Sequence, residues 1–197
     1  MSSRQEILAR IRKNQPAPLP LPEIPTFDTA ASTAPIERFK AGVIRMGGRF
    51  VDPPADSLDK LIKRLFPDAK VVCSAVAEVA GNRKLDRVKT PAALHDVDVG
   101  VVRAVFGVAE TGSLWLTEAQ FKVSSLGFLA QHLVVLLDPA RIVDNMHHAY
   151  RERAQFNAPY GVFMTGPSAT ADIEGVLIHG AQGIRTLTVV PLPEARF

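Results

Sequence analysis

The sequence predicts an α/β fold, an open and mostly parallel sheet flanked by helices, on three observations. First, β-type apolar runs alternate with runs of helical period, each unit spanning about 20–35 residues, the spacing of strand–crossover units. Second, His132 to Leu137 reads HLVVLL, apolar on both faces, which is the pattern of a strand buried in the middle of a parallel sheet. Third, the 197 residues are 47% hydrophobic and 22% charged, ordinary for a chain with a sizeable core.

The elements follow in order. Ser3 and Glu6 match a capping box, and Ile7, Leu8 and Ile11 lie at helical spacing, so Arg4 to Asn14 is predicted as a short amphipathic helix. Arg10, Arg12 and Lys13 suit its C-terminal dipole end. Pro16, Pro18, Pro20, Pro22 and Pro25 then exclude helix and central strand, leaving a semi-rigid extended tether. A helix this short is marginal alone and is expected to dock, on its own body or on a partner. Residues 1–34 are therefore read as an arm and residues 35–197 as the α/β domain.

Within that domain Ile36, Phe39, Val43, Ile44 and Met46 mark a helix stopped by Gly47-Gly48. Arg49 to Val51 is a short strand. Asp56 or Ser57 caps a helix carrying Leu58, Leu61, Ile62, Leu65 and Phe66, and Ala69 to Ser74 is a buried strand that includes Cys73. Residues 75–91 are basic and weakly patterned, which predicts a surface segment. Asp98 to Val102 is a strand. Val105 to Thr117 reads VFGVAETGSLWLT: two strand runs around a polar knot, hence a hairpin with Gly112 supplying the turn. After His132 to Leu137, a helix is expected from about Arg141 to Phe156, a central strand over Tyr160 to Met164, and a last strand over Leu187 to Val190.

Composition excludes several functions. The formal charge is +3, from 23 basic and 20 acidic residues, with the cations interspersed rather than striped, so nucleic acid is not an expected partner. One Cys precludes an intrachain disulfide and a Cys-rich cluster. No HxxxH, HExxH or CxxC occurs, and the adjacent His147 and His148 point about 100° apart on a helix, so no metal site is assigned. No apolar run approaches the roughly 18–20 residues of a membrane span, and no signal sequence is read. A cytoplasmic protein is the expectation, and a homo-oligomer is compatible with everything above.

Two segments could carry chemistry. In one, Glu110, Thr111, Gly112 and Ser113 place a carboxylate and two hydroxyls on a tight turn. In the other, TGPSATADIE over residues 165–174 reads as a strand-to-helix turn. Such a turn at a strand's carboxyl end exposes backbone N–H groups to anions, with Thr165, Gly166, Ser168 and Thr170 as binding groups. Asp172 and Glu174 would be acid–base groups or simple helix-start carboxylates. His179 and Gly180 begin a further flexible stretch, HGAQG. Each segment also has a plain reading as a turn or a helix cap.

Taken together and in this order, AETGS, TGPSATADIE and HGAQG resemble the lactate-utilisation protein C family, the stand-alone LUD-domain proteins, over roughly residues 35–193. The resemblance implies a fold similar to the sugar-phosphate isomerase and CoA-transferase group (NagB/RpiA-like). It implies a part in oxidising L-lactate to pyruvate alongside iron–sulfur partner proteins, with no cofactor on this chain. By matched motif it implies a site made of Glu110 and Asp172 as catalytic candidates. Thr111, Gly112, Ser113, Thr165, Gly166, Ser168, Thr170, Glu174, His179 and Gly180 would be the ligand-binding groups. The alternative is an enzyme or binding protein in its own right, acting on a phosphate- or carboxylate-bearing small molecule. In either case Glu110 is expected to face the 165–174 loop.

Overall fold

The computed structural model describes residues 3–194 apart from 18, 21, 29–32, 153–155, 168, 172–176 and 180–182. Its helices are α1 (Ser3–Lys13), α2 (Pro35–Arg45), α3 (Leu58–Leu65), α4 (Glu118–Phe121), α5 (Leu126–Leu129) and α6 (Met146–Arg151). Its strands are β1 (Arg49–Phe50), β2 (Val72–Ser74), β3 (Val99–Arg103), β4 (Phe106–Val108), β5 (Ser113–Thr117), β6 (His132–Leu137), β7 (Ile142–Val143), β8 (Gly161–Met164), β9 (Ala169–Ala171), β10 (Leu177–His179) and β11 (Thr186–Pro191).

The predicted parallel sheet is present, with five strands in the order β1-β11-β6-β3-β2 and every pairing parallel. β6 lies at its centre, and Leu133 to Leu137 are all buried, as the apolar run requires. Pleating sends alternate side chains to opposite faces. Val134 and Leu136 join Val99, Val101 and Val190 against Leu58, Leu61 and Ile62 of α3 and Phe66 just after it. Leu133, Val135 and Leu137 join Val102, Leu187 and Val189 in the larger core on the other side, with Phe39 and Val43 of α2. The α3 cap is the expected Ser57, whose hydroxyl accepts from Lys60 N–H. Cys73 is fully buried, and burial pushes its thiol pKa up.

A second sheet covers that larger core, in the order β7-β4-β5-β8. Leu114 and Leu116 of β5 point inward to it, while Phe106, Val108 and Trp115 point outward to a separate cluster with Ala149 of α6. The Trp115 and Phe163 rings lie 4.6 Å apart and Trp115 and Phe156 4.7 Å apart.

Three sequence expectations are corrected here. The helix expected over 141–156 is limited to Met146–Arg151 among the described residues. Ile142 and Val143, both β-branched, pair instead with Gly107 and Val108, and Asn145 starts the helix by accepting from His148 N–H at 3.0 Å. The strand at 161–164 is the edge of the second sheet, not a centre. Within TGPSATADIE, where a strand-to-helix turn is expected, Ala169–Ala171 form a strand that pairs antiparallel with Leu177–His179, and Ser168 and residues 172–174 lie outside the described residues. The arm differs in another way. Its helix forms, but no residue of α1 is buried, and Ile7 and Ile11 remain 59% and 54% exposed.

Candidate functional site

The hairpin forms as expected, with Val108 paired to Ser113 and Gly112 N–H donating to Val108 O at 2.9 Å. Gly112 has φ +70°, and a Cβ there would sit 2.4 Å from Val43 N and 2.5 Å from the Gly42 carbonyl carbon. The turn therefore rests directly on the backbone of α2, and only glycine permits both the conformation and the approach. This contact holds the neighbouring hydroxyls in place. Thr111 Oγ1 accepts from Ser113 N–H at 3.3 Å and lies 2.7 Å from Ser113 Oγ. Ser113 Oγ is in turn 2.6 Å from Thr165 Oγ1. Gly166, also at positive φ, approaches so closely that a Cβ would be 2.1 Å from Met46 O.

Thr111, Gly112, Ser113, Thr165 and Gly166 thus come together around the C-terminal half of α2. Ser113 is 4% exposed, so two of its neighbours' hydroxyls are bridged by a buried third. Thr170 and His179 lie on β9 and β10, Thr170 opposite Ile178 and His179 opposite Ala169. Ser168, Asp172, Glu174 and Gly180 fall outside the described residues.

Glu110 turns elsewhere. The expectation that it faces the 165–174 loop fails. Its side chain is exposed and accepts from Met146 N–H at 3.1 Å, the first N–H of α6. Its backbone is pinned on both sides: Glu110 N–H donates to Asp144 O at 3.0 Å, and Arg45 donates to Glu110 O at 3.2 Å. The parallel pairing of β7 with β4 brings Asp144 and α6 here, and that pairing was missed because residues 141–145 read as helix. Glu110 lines a cavity of about 620 Å³ with Arg38, Asp144, Asn145, His147 and His148. Arg38 is ion-paired to Asp144. The end of the arm closes one wall. Asn145 donates to Thr26 O at 2.7 Å, Phe27 packs on His147 with centroids 4.7 Å apart, and His148 Nε2 lies 2.5 Å from Asp28 Oδ1. The Thr26 hydroxyl, and after it His148, hold the Asp28 carboxyl below the usual range. The two histidines do take different partners, as their angular separation on a helix demands. Among the described residues no His/Cys/Asp/Glu group has metal-ligating geometry.

A larger opening went unnoticed in the sequence. Beyond the carboxyl ends of β2, β3, β6 and β11, where open parallel sheets place ligands, lies a cleft of about 1390 Å³. Ala75, Ala77, Ala104, Ala119 and Ala140 keep it wide, and Arg103, Arg141 and Glu78 supply charge. Arg103 donates to Leu192 O at 2.9 Å and pairs with Glu78 at 2.5 Å. Burial raises the Glu78 carboxyl, but its own backbone N–H and Arg103 outweigh that and leave it lowered. These residues come from five separate segments of the chain, so no local motif announces them.

The LUD domain family model matches residues 55–191, which include the hairpin, both converging turns and four of the five strands of the parallel sheet, all but β1. The chain belongs to the LUD-domain family. A protein of Neisseria meningitidis serogroup B, itself described as uncharacterized, is 29% identical over 127 residues, 63% of this chain and 54% of that protein. A Geobacillus protein named Lactate utilization protein C is 25% identical over 166 residues, 78% of this chain and 66% of that protein. The LUD chain thus spans about half to two thirds of the length of these curated relatives. Among solved structures, a DUF162-family protein from Deinococcus radiodurans superimposes with TM-score 0.57 at 15% identity, covering 80% of this chain and 95% of that one. At that identity the likeness speaks for the fold. No helix among the described residues is long and apolar enough to cross a membrane.

Proposed function

We propose that this LUD protein is a non-redox subunit of an L-lactate utilisation system, working beside iron–sulfur partner proteins. The observation that carries the reading is the similarity to Lactate utilization protein C across 78% of the chain. Converting lactate to pyruvate removes two electrons and two protons. The sequence supplies one Cys, which is buried with a raised thiol pKa, and on this reading the electrons pass to clusters on partner chains. Residues 1–34 serve as the tether toward those partners, with the apolar face of α1 uncovered. Affinity purification from lactate-grown cells, followed by iron analysis and lactate-dependent dye reduction, tests this. Co-purifying iron–sulfur protein, and dye reduction that depends on adding this chain, are the expected results. Full activity of the partners without it would overturn the reading.

A second reading is favoured by the cavity at Glu110. There the protein binds a carboxylate- or phosphate-bearing small molecule, with Glu110 as the acid–base group and Arg38, Asn145, His147 and His148 around it. Thermal shift with lactate, pyruvate, sugar phosphates and CoA esters tests it. A ligand at 100 times its Kd stabilises by about 2.7 kcal/mol. Glu110→Gln should remove that shift while leaving the melting temperature of the free protein unchanged.

A further inference from the structure

At the opposite, amino end of the parallel sheet lies a second polar site that neither motif predicted. β1, β11 and β6 are adjacent and parallel, so their starts bring Arg49, Arg185, Thr186 and His132 together. These residues line a cavity of about 350 Å³ beside Phe66. The His132 ring stacks on Phe66 with centroids 4.5 Å apart, and its Nδ1 lies 2.8 Å from Thr186 Oγ1. That fixes the ring plane and leaves Nε2 for another partner.

The charges here are unbalanced in a particular way. Among the described residues neither Arg49 nor Arg185 has a side-chain hydrogen bond or ion pair. Of the two carboxylates lining the cavity, Asp98 is already committed through Oδ2 to the backbone N–H groups of Lys70 and Val71 at 2.7 and 2.8 Å. Asp68 stands exposed at the rim. Behind Thr186, two residues along and so on the same face of β11, the Thr188 hydroxyl is fully buried and has no hydrogen-bond partner. Unpaired buried polar groups are rare and ask for a water or ligand atom. Thr188 lies one step inward of the cavity-lining Thr186 on that face and does not itself line the cavity.

We infer that this pocket binds a small oxyanion, a phosphate or carboxylate group, between the Arg49 and Arg185 guanidiniums with the Thr186 hydroxyl and His132 Nε2 as further donors. Two guanidiniums match oxyanion geometry better than point charges do. Without the anion, burial first and then Arg49 and Arg185 hold the imidazole pKa below its ordinary value, against Asp98. A bound anion opposes the arginines and favours the imidazolium, which adds a donor. Binding therefore takes up a proton, and the His132 titration moves to higher pH.

The test is histidine ring NMR on the full chain, titrated with inorganic phosphate, with acetate, and with potassium chloride at matched ionic strength. Phosphate is expected to raise the His132 midpoint and saturate; an acetate response of equal size assigns a carboxylate-type ligand, and a weaker one a phosphate-type ligand. In Arg49→Ala/Arg185→Ala, phosphate binding should weaken roughly tenfold or more. Both side chains are exposed, so the fold should survive. Thr186→Val should weaken binding less while keeping the arginine dependence. A His132 response identical in chloride, or one that persists unchanged in the double variant, would overturn the assignment.

Discussion

The two sheets are held together by opposite means. In the five-stranded parallel sheet, side-chain volume does the holding: Leu133, Val135 and Leu137 fill one face of β6, and Val134 and Leu136 fill the other. In the mixed sheet, position is set where side chains are missing. Gly112 touches the backbone of α2, Gly166 touches Met46 O, and a Cβ at Gly161 would fall 2.4 Å from the Trp115 ring. A core built on volume should yield by degrees when trimmed. A joint built on backbone contact has no such margin, because the obstacle at Gly112 is main chain and cannot rotate away. The motif residues lie on the second kind of support, which orders the Thr111, Ser113 and Thr165 hydroxyls without a packed side chain above the turn.

The largest effect is expected at that joint. Gly112→Ala adds left-handed backbone strain and a methyl 2.4 Å from Val43 N, a combined cost of about 3–5 kcal/mol. Urea denaturation should show most of the stability gone, and a loss under about 1 kcal/mol would show that the turn can leave α2 freely. The counterpart in the parallel sheet is Leu133→Ala. Leu133 is fully buried in the core shared with α2, and its truncation should cost about 2–4 kcal/mol with cooperative unfolding retained. Leu133→Met, by contrast, should stay within about 1.5 kcal/mol. If the glycine variant proved milder than the leucine truncation, the contrast between the two sheets would be wrong.

The same contrast explains what could be read from sequence. HLVVLL announced its place because burial on both faces leaves an unbroken apolar run. α2 and α3 showed through their period and their stops. The second sheet was harder because its strands are short, and its β7 strand is two residues, Ile142 and Val143, inside what otherwise scans as helix. Missing β7 also misplaced Glu110, since Asp144 and the start of α6 arrive through that pairing. Motif order pointed to the 110–113 and 165–174 segments lying together but not to the Ser113–Thr165 contact itself, and Arg38, Asp28 and the carboxyl-end cleft are assembled from distant segments and leave no local signal. The pairing of Ala169–Ala171 as strand follows from the partner at Leu177–His179, which a local acidic pattern does not reveal.

Ser113→Ala sharpens the comparison at smaller scale. It removes the bridging hydroxyl between Thr111 and Thr165 while leaving both glycine contacts intact. A buried hydroxyl network broken at its middle member should cost about 1–2 kcal/mol. Hydrogen exchange at Gly112 should stay protected, since its N–H donates to Val108 O. Lost protection there would mean that the hydroxyls, not the backbone joint, hold the turn.

The smallest effect belongs to the arm, which touches the body through Thr26, Phe27 and Asp28. The Asp28 carboxyl lies below its ordinary value of 3.8 chiefly through the Thr26 hydroxyl and next through His148. A depressed carboxyl contributes to the docked state fully above its undocked value, and that contribution is lost as pH falls through the docked one. Thr26 lies on the arm itself, so only the His148 part of this contribution joins arm to body, and the clasp should loosen through that contact as pH falls below 3.8. Asp28→Asn should remove this acid limb and loosen the arm at all pH values, with the melting temperature nearly unchanged because the group is solvent-exposed. Limited proteolysis in the Pro-rich segment, together with the ring-current shift of His147 from Phe27, reads the outcome. If cleavage and ring shift were the same in wild type and variant at neutral pH, the Phe27–His147 contact and the Asn145–Thr26 bond alone would hold the arm. The wall of the Glu110 cavity would then rest on ring packing and one hydrogen bond rather than on the Asp28–His148 pair.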